Sequence, residues 1–239
     1  MAFFRTAKFR IKQAVATREE LARFNERTAQ KVVTEIDPDY LYVVVSGLHG
    51  DDPNDNGDYF RWDDELLRKL PGSSIKAFKG GPEYVFQTWV DKPNLLNHDG
   101  EKEVGEIVDA WPLQAEKSVD MLLKVSRKHD WLVKGIEDHS IEDVSMGCIV
   151  GHSYCSVCDN MAEDESGWCA HLHPGKLNLK GKKYNGEDGK IYASKVGHVC
   201  YEDNRDVTGI EVSWITFGEG ADSKAERKQI LASKGGTTV

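Results

Sequence analysis

Val144-Ser145-Met146-Gly147-Cys148-Ile149-Val150 is a short apolar run interrupted by a serine and a glycine, and its reading decides the fold. In an extended strand, alternate side chains face opposite ways. Met146 and Cys148 then face a core, while Ser145 and Gly147 face away and can line a surface cleft. Asp143 to Val150 is therefore expected to be a strand of a sheet with one buried face.

Working outward, other segments carry strand patterns. Tyr40 to Ser46 is β-branched and aromatic, and Ser118 to Ser126 alternates cleanly through Val119, Met121, Leu123 and Val125. Val104 to Trp111 pairs with the latter across the Pro112 to Lys117 turn. Lys190 to Tyr201 and Gly209 to Phe217 are read as further strands, with hairpin-type turns at Asn185-Gly186 and Asp188-Gly189. Helices are expected over residues 8 to 35, over Trp62 to Leu70 and over Lys128 to Glu137. The fold class is α+β, mainly β. The divisions are a helical N-terminal arm (1–37), a strand-rich domain (38–218) with an insert at 152–175, and a polar C-terminal tail (219–239).

The insert follows the serine strand at once. Cys155-Ser-Val-Cys158 puts two thiolates on one tight turn, and Cys169-Ala-His171 adds a thiolate and an imidazole a short loop later. This is the spacing of a zinc knuckle with a closed, structural set of four protein ligands. His173 is also within reach, and His171 is preferred. The loop Asp159 to Trp168 is polar and acidic, so it offers the sulfurs no core of their own. Asp52 to Asp58 with Asp63 resembles a calcium loop, but a strand precedes it where a helix belongs, and a plain polar turn is expected.

The chain has 239 residues, 39% of them hydrophobic, and a net charge of -9. That is enough to bury one core. The acidic balance speaks against a nucleic-acid surface, which needs clustered Lys and Arg. The only concentrated basic stretch is Arg5 to Lys12. No signal-peptide pattern or membrane-length apolar run is read, and five cysteines gathered around a metal pattern fit a reducing cytoplasm.

Ser145 needs a base if it is a nucleophile, and His98 in Leu95-Leu96-Asn97-His98-Asp99 is the candidate. The series Asn54 to Phe60, Leu96 to Asp99, Gly105 to Asp109, Val144 to Cys148, the Cys155 to His171 knuckle and Glu211-Val-Ser-Trp-Ile215 resembles, in that order, the prohead (head maturation) proteases of tailed bacteriophages. The match is to the branch with a cysteine-rich insert after its serine, and it runs from about Tyr40 to Ala225. The resemblance implies an assemblin-like antiparallel barrel with surrounding helices, similar in fold to the herpesvirus capsid maturation proteases.

By position, it makes Ser145 the nucleophile and His98 the base. The third member is Glu211, in the family's Glu-Val-Ser strand, or His198, where the viral relatives use a second histidine. The implied activity is a serine endopeptidase. Its partners would be phage scaffold or core proteins and the major capsid protein, with self-processing and self-association also expected. Its place would be the host bacterial cytoplasm, inside the assembling prohead. Structural zinc is the cofactor expected. The alternatives are an inactive capsid-assembly or scaffold-binding protein of the same fold, a zinc nuclease, which the acidic charge disfavours, and Cys148 as nucleophile, which strand parity turns toward the core.

Overall fold

The computed structural model describes residues 3–9, 37–71, 82–189, 192–216 and 227–230. Strands β1 (Phe3–Phe9), β2 (Tyr40–His49), β3 (Asp58–Phe60), β4 (Pro93–Leu96), β5 (Asp99–Leu113) and β6 (Ser118–Ser126) precede the helix α1 (Asp130–Glu137). After it come β7 (Asp143–Val150), β8 (His152–Cys155), β9 (Met161–Ala162), β10 (Glu202–Arg205), β11 (Thr208–Ile215) and β12 (Arg227–Ile230). The main sheet runs β1-β7-β11-β4-β5-β6-β2-β12, and a smaller one runs β3-β10-β8-β9.

The alternation read in the sequence becomes the core. Val144, Met146, Cys148 and Val150 of β7 are buried against Val119, Met121, Leu123 and Val125 of β6, Leu41, Val43 and Val45 of β2, and Val212 and Trp214 of β11. α1 adds Leu132, Val133 and Ile136. A sheet with one apolar face must cover it. The main sheet does so by curling on itself, so that β2 and β7, with four strands between them in its order, come into contact. The six strands from β7 to β2 make a half-barrel.

The expected antiparallel barrel is corrected in two ways. β4 and β11 are parallel neighbours, as are β3 and β10, because each partner returns by a long crossover through the insert. Among the described residues, β1 and β12 end the sheet order and no hydrogen-bonded ladder joins them.

The boundaries also move. Phe3–Phe9 is no separate helical arm: it pairs with β7 along its length. Arg227–Ile230 is no free tail: it pairs with β2. From residue 10 onward, the helix expected over 8 to 35 lies outside the described residues until the chain resumes at 37. The strand expected over Lys190 to Tyr201 is not formed among the described residues of that stretch, 192–201. Ala193–Lys195 is a single helical turn, and only isolated bridges at Val199 and Cys200 follow. The helix expected from Trp62 is one wide turn, Trp62–Leu66.

The insert is larger than 152–175. β8 pairs with β10, and Lys180 and Lys183 bridge to Cys200 and Val199, so the second sheet extends the unit to Arg205. Buried charge holds it together. The Lys180 ammonium lies 2.6 Å from both Asp58 and Glu202, and Ser153 Oγ and Trp168 Nε1 donate to the same Glu202 carboxylate. A buried carboxylate is tolerable only when its oxygens are satisfied in this way.

Candidate active site

Ser145 on β7, His98 in the loop between β4 and β5 and Glu211 in the middle of β11 come from three separate segments, and each is brought in by local backbone chemistry. His98 sits with Asn97 in the two-residue loop joining β4 to β5, where Leu96 faces Asp99. Both have positive φ, 53° for Asn97 and 60° for His98. This is the backbone a primed hairpin turn demands, and Asn and His are among the side chains that tolerate it. The turn is stapled to β11. Asn97 N donates to Trp214 O, its Nδ2 donates to Thr216 Oγ1, and its Oδ1 accepts from Thr216 N. Asn94 adds a second tie, donating to Val212 O and accepting from Trp214 Nε1.

Glu211 reaches the same face through a bulge. β11 pairs Gly209 with Cys148 and then Glu211 with Gly147, so one extra residue is inserted between them. The side-chain parity of β11 shifts by one. Glu211 and Ser213 thereby share a face with Gly147 and Ser145, while Val212 and Trp214 go to the core. Before the bulge, Gly209 leaves room for the Trp89 ring, where a Cβ would lie 2.2 Å from a ring carbon, and Trp89 Nε1 donates to Gly147 O.

The three side chains form a hydrogen-bonded chain. His98 Nε2 is 2.8 Å from Ser145 Oγ, and His98 Nδ1 is 2.8 Å from Glu211 Oε1. Glu211 is 4% exposed and Ser145 fully buried. The second carboxylate oxygen, Oε2, accepts from Ser213 Oγ at 2.6 Å, and Ser213 Oγ in turn accepts from the His98 backbone N–H at 3.0 Å. A carboxylate only accepts hydrogen bonds, so Nδ1 carries the imidazole proton and the Nε2 lone pair faces the serine hydroxyl. The arrangement can draw a proton from Ser145 and hold the resulting imidazolium against a negative charge.

The serine does not line an open surface as expected. It lies under the imidazole, whose side chain is 21% exposed. His198 is exposed on the loop after the single helical turn, and Glu211 occupies the position at Nδ1 that it would need. Cys148 faces the core, fully buried. Asp99 caps its own turn, accepting from Glu101 N. Arg205 pairs with Asp203 on the second sheet. There it lines a cleft of about 570 Å³ with Arg61, Tyr154 and Tyr201, a cleft that none of Ser145, His98 and Glu211 borders.

Ser213 was legible only as a neighbour of Glu211 on one strand face. Its bond to the His98 backbone has no signal in the sequence, and neither does the bulge that brings it there.

The cysteine pattern closes into a second constellation. Cys155, Cys158, Cys169 and His171 place their ligand atoms within 4.8 Å of one another. His171 Nδ1 is 3.8 Å from Cys155 Sγ and 3.6 Å from Cys169 Sγ. A tetrahedral zinc, at roughly 2.3 Å from sulfur and 2.1 Å from nitrogen, sets its ligands roughly 3.6 Å apart, so these residues fit the ion. The far nitrogen of His171 lies 3.0 Å from Asp188, which also accepts from Tyr184 OH. Such a carboxylate fixes the tautomer that leaves Nδ1 free to ligate.

His173 is turned away, accepting from Gly175 N. The neighbouring Cys155 and burial push the Cys169 thiol up to about 12. The sulfurs do have a core, contrary to expectation. Val157, Ala162, Trp168, Leu172, Leu179 and Tyr184 are buried with Cys155. In the would-be calcium loop, Asn54 Oδ1 accepts from Asp58 N, and the Asp58 carboxylate pairs with Lys180.

No protein-family model and no curated protein matches the chain. Among solved structures, it is similar to the bacteriophage T4 capsid assembly protease, with a TM-score of 0.44 and 11% identity over 91% of this chain and 99% of that chain.

Proposed function

We propose that this protein is a serine endopeptidase in which Ser145 is the nucleophile, His98 the base and Glu211 the residue that orients and charges the base. The observation that carries this is the continuous chain from Ser145 Oγ through both nitrogens of His98 to Glu211, with both carboxylate oxygens engaged. A structural histidine on a turn has no need of a serine hydroxyl on one nitrogen and a buried carboxylate on the other.

As the Ser145 oxygen attacks a peptide carbonyl, its proton passes to His98 Nε2, and the electron pair of the C=O moves onto oxygen. Collapse of the tetrahedral species breaks the C–N bond, and His98 gives its proton to the leaving amine. Water, deprotonated by the same nitrogen, then releases the acyl group from Ser145. Glu211 stays ionised throughout and stabilises the imidazolium. Ser213 holds both the carboxylate and the backbone of the base, so the two cannot drift apart independently.

Cys155, Cys158, Cys169 and His171 would hold zinc as a closed site. When bound, the ion supplies folding energy to the insert, with no position open for a reacting water. The insert starts directly after β7 and its second sheet leads into β11. Its order therefore bears on both β7, which carries Ser145, and β11, which carries Glu211.

The substrate reading is that of the motif series: scaffold or core proteins and capsid subunits of an immature phage head, in the host cell. The test is co-expression with the scaffold and capsid proteins encoded beside this chain, wild type against Ser145→Ala, followed by N-terminal sequencing of the fragments. New amino termini that depend on Ser145 support the reading. Identical patterns from both would overturn it.

A further inference from the structure

β7 has two edges. One pairs with β11, and the other pairs with β1 from Phe3 opposite Val150 to Phe9 opposite Val144, with Lys8 opposite Ser145. β1 ends the sheet order, so among the described strands it is hydrogen-bonded to β7 alone. Its main chain thus passes Ser145 at the ~5 Å spacing of neighbouring strands. Ser145 is fully buried under the His98 imidazole, and both edges of β7 are already paired, so an extended peptide can run beside Ser145 along β7 only if one of the two flanking strands gives way. Of the two strands flanking β7, β11 carries Glu211 and is fixed on its far side by β4, whereas β1 is held by one ladder.

An endopeptidase must hold its substrate extended, and adding a strand to a sheet edge is a recurrent way to do so: main-chain hydrogen bonds supply affinity without regard to side chains. We propose that the outer edge of β7 is the docking edge for an extended peptide substrate, and that β1 occupies it in cis as a displaceable stand-in. This rests on Ser145 being the nucleophile. A tethered strand acts at an effective concentration of roughly millimolar, so it lowers the apparent affinity of an incoming peptide by the fraction of time it is in place. Substrates would be selected for an unfolded segment able to pair along β7, and displacement of β1 would switch the site on.

The full chain carrying Thr6→Pro and Ala7→Pro tests this. Adjacent backbone N–H groups point to opposite sides of a strand, so one of the two prolines removes a ladder donor to β7. Two readouts are followed, with and without a synthetic peptide of residues 3–9: the rate at which a fluorophosphonate labels Ser145, and hydrogen exchange of the β7 amides. Labelling about tenfold faster than in wild type is expected, with loss of protection along β7. The added peptide should reverse both.

Labelling no faster, with the peptide changing neither readout, would make β1 an ordinary barrel strand and overturn the proposal. If the peptide restores protection but Ser145 is never labelled in any form, the nucleophile reading fails, and the substrate role of the edge with it. Wild type alone gives a check that needs no variant. β1 amides should exchange through a local opening far faster than those of β6, and equal protection would contradict a displaceable strand.

Discussion

Gly147 lies directly beneath the carboxylate of Glu211: a Cβ at position 147 would stand 2.2 Å from Glu211 Oε1, the oxygen that faces His98 Nδ1. The glycine is therefore there for space, since the site needs a gap one methyl wide. Gly147→Ala should force Glu211 off the imidazole. Turnover is expected to fall by about two orders of magnitude, with a loss of roughly 1–3 kcal/mol from overpacking. Peptide-cleavage kinetics beside thermal melts check this, and an alanine variant with wild-type turnover would contradict the placement of Glu211.

Glu211→Gln keeps the shape and loses the charge. It should lower kcat by orders of magnitude while moving the melting temperature little, because the amide oxygen can still accept from His98 Nδ1–H while its NH2 donates to the Ser213 hydroxyl, which can turn to accept. His198→Ala, on an exposed loop, should leave turnover near wild type. The reverse ranking would give the third role to His198.

Zinc should bind one ion per chain, at Cys155, Cys158, Cys169 and His171, and should matter for folding. Cys169→Ser is expected to lose the metal and melt at lower temperature, while Cys148→Ser retains the metal. Cys200→Ser should retain it too, although that thiol lies against Cys155. Elemental analysis of protein purified without chelator decides the matter, and well-folded protein that lacks zinc would refute the site.

Asp109 provides a pH test away from the site. Burial on β5 pushes its carboxyl up to about 6, with only the Ala110 N–H bond opposing. A raised folded-state pKa means that the folded chain holds this proton more tightly than the unfolded one. The cost is absent below about pH 4 and grows as pH rises through 6. Asp109→Asn should stabilise by up to about 2–3 kcal/mol at pH 7.5 and by little at pH 4. Urea melts at the two pH values measure it, and equal gains at both would refute the assignment.

Much of the main sheet was legible. β6 and β7 lie where the pattern places them, Ser118–Ser126 and Asp143–Val150, because Val119, Met121, Leu123 and Val125 in one and Val144, Met146, Cys148 and Val150 in the other keep a two-residue period of core side chains, although the opposite faces are largely buried too. β10 was invisible for the converse reason. Glu202, Asp203 and Asn204 are buried in it, but two of them are held by charge, Glu202 by Lys180 and Asp203 by Arg61 and Arg205, so no apolar period marks the strand. β1 and β12 are short and depend on distant partners, and local pattern does not announce that. At the site, the four metal ligands were nameable from spacing, whereas Ser145, His98 and Glu211 were named through the resemblance that the motif series carries. The β11 bulge, the positive φ of His98 and the Ser213 link were not, because each exists only once two distant segments meet.

The central claim is that Ser145 is an activated nucleophile, and the most direct measurement is the mass and position of a fluorophosphonate adduct on purified protein. One adduct per chain is predicted, on the peptide carrying Ser145. It should be absent in Ser145→Ala and should form at least a hundredfold more slowly in His98→Ala, with both variants folded as judged by their melts. An unlabelled wild type, or labelling that survives Ser145→Ala, would contradict the account.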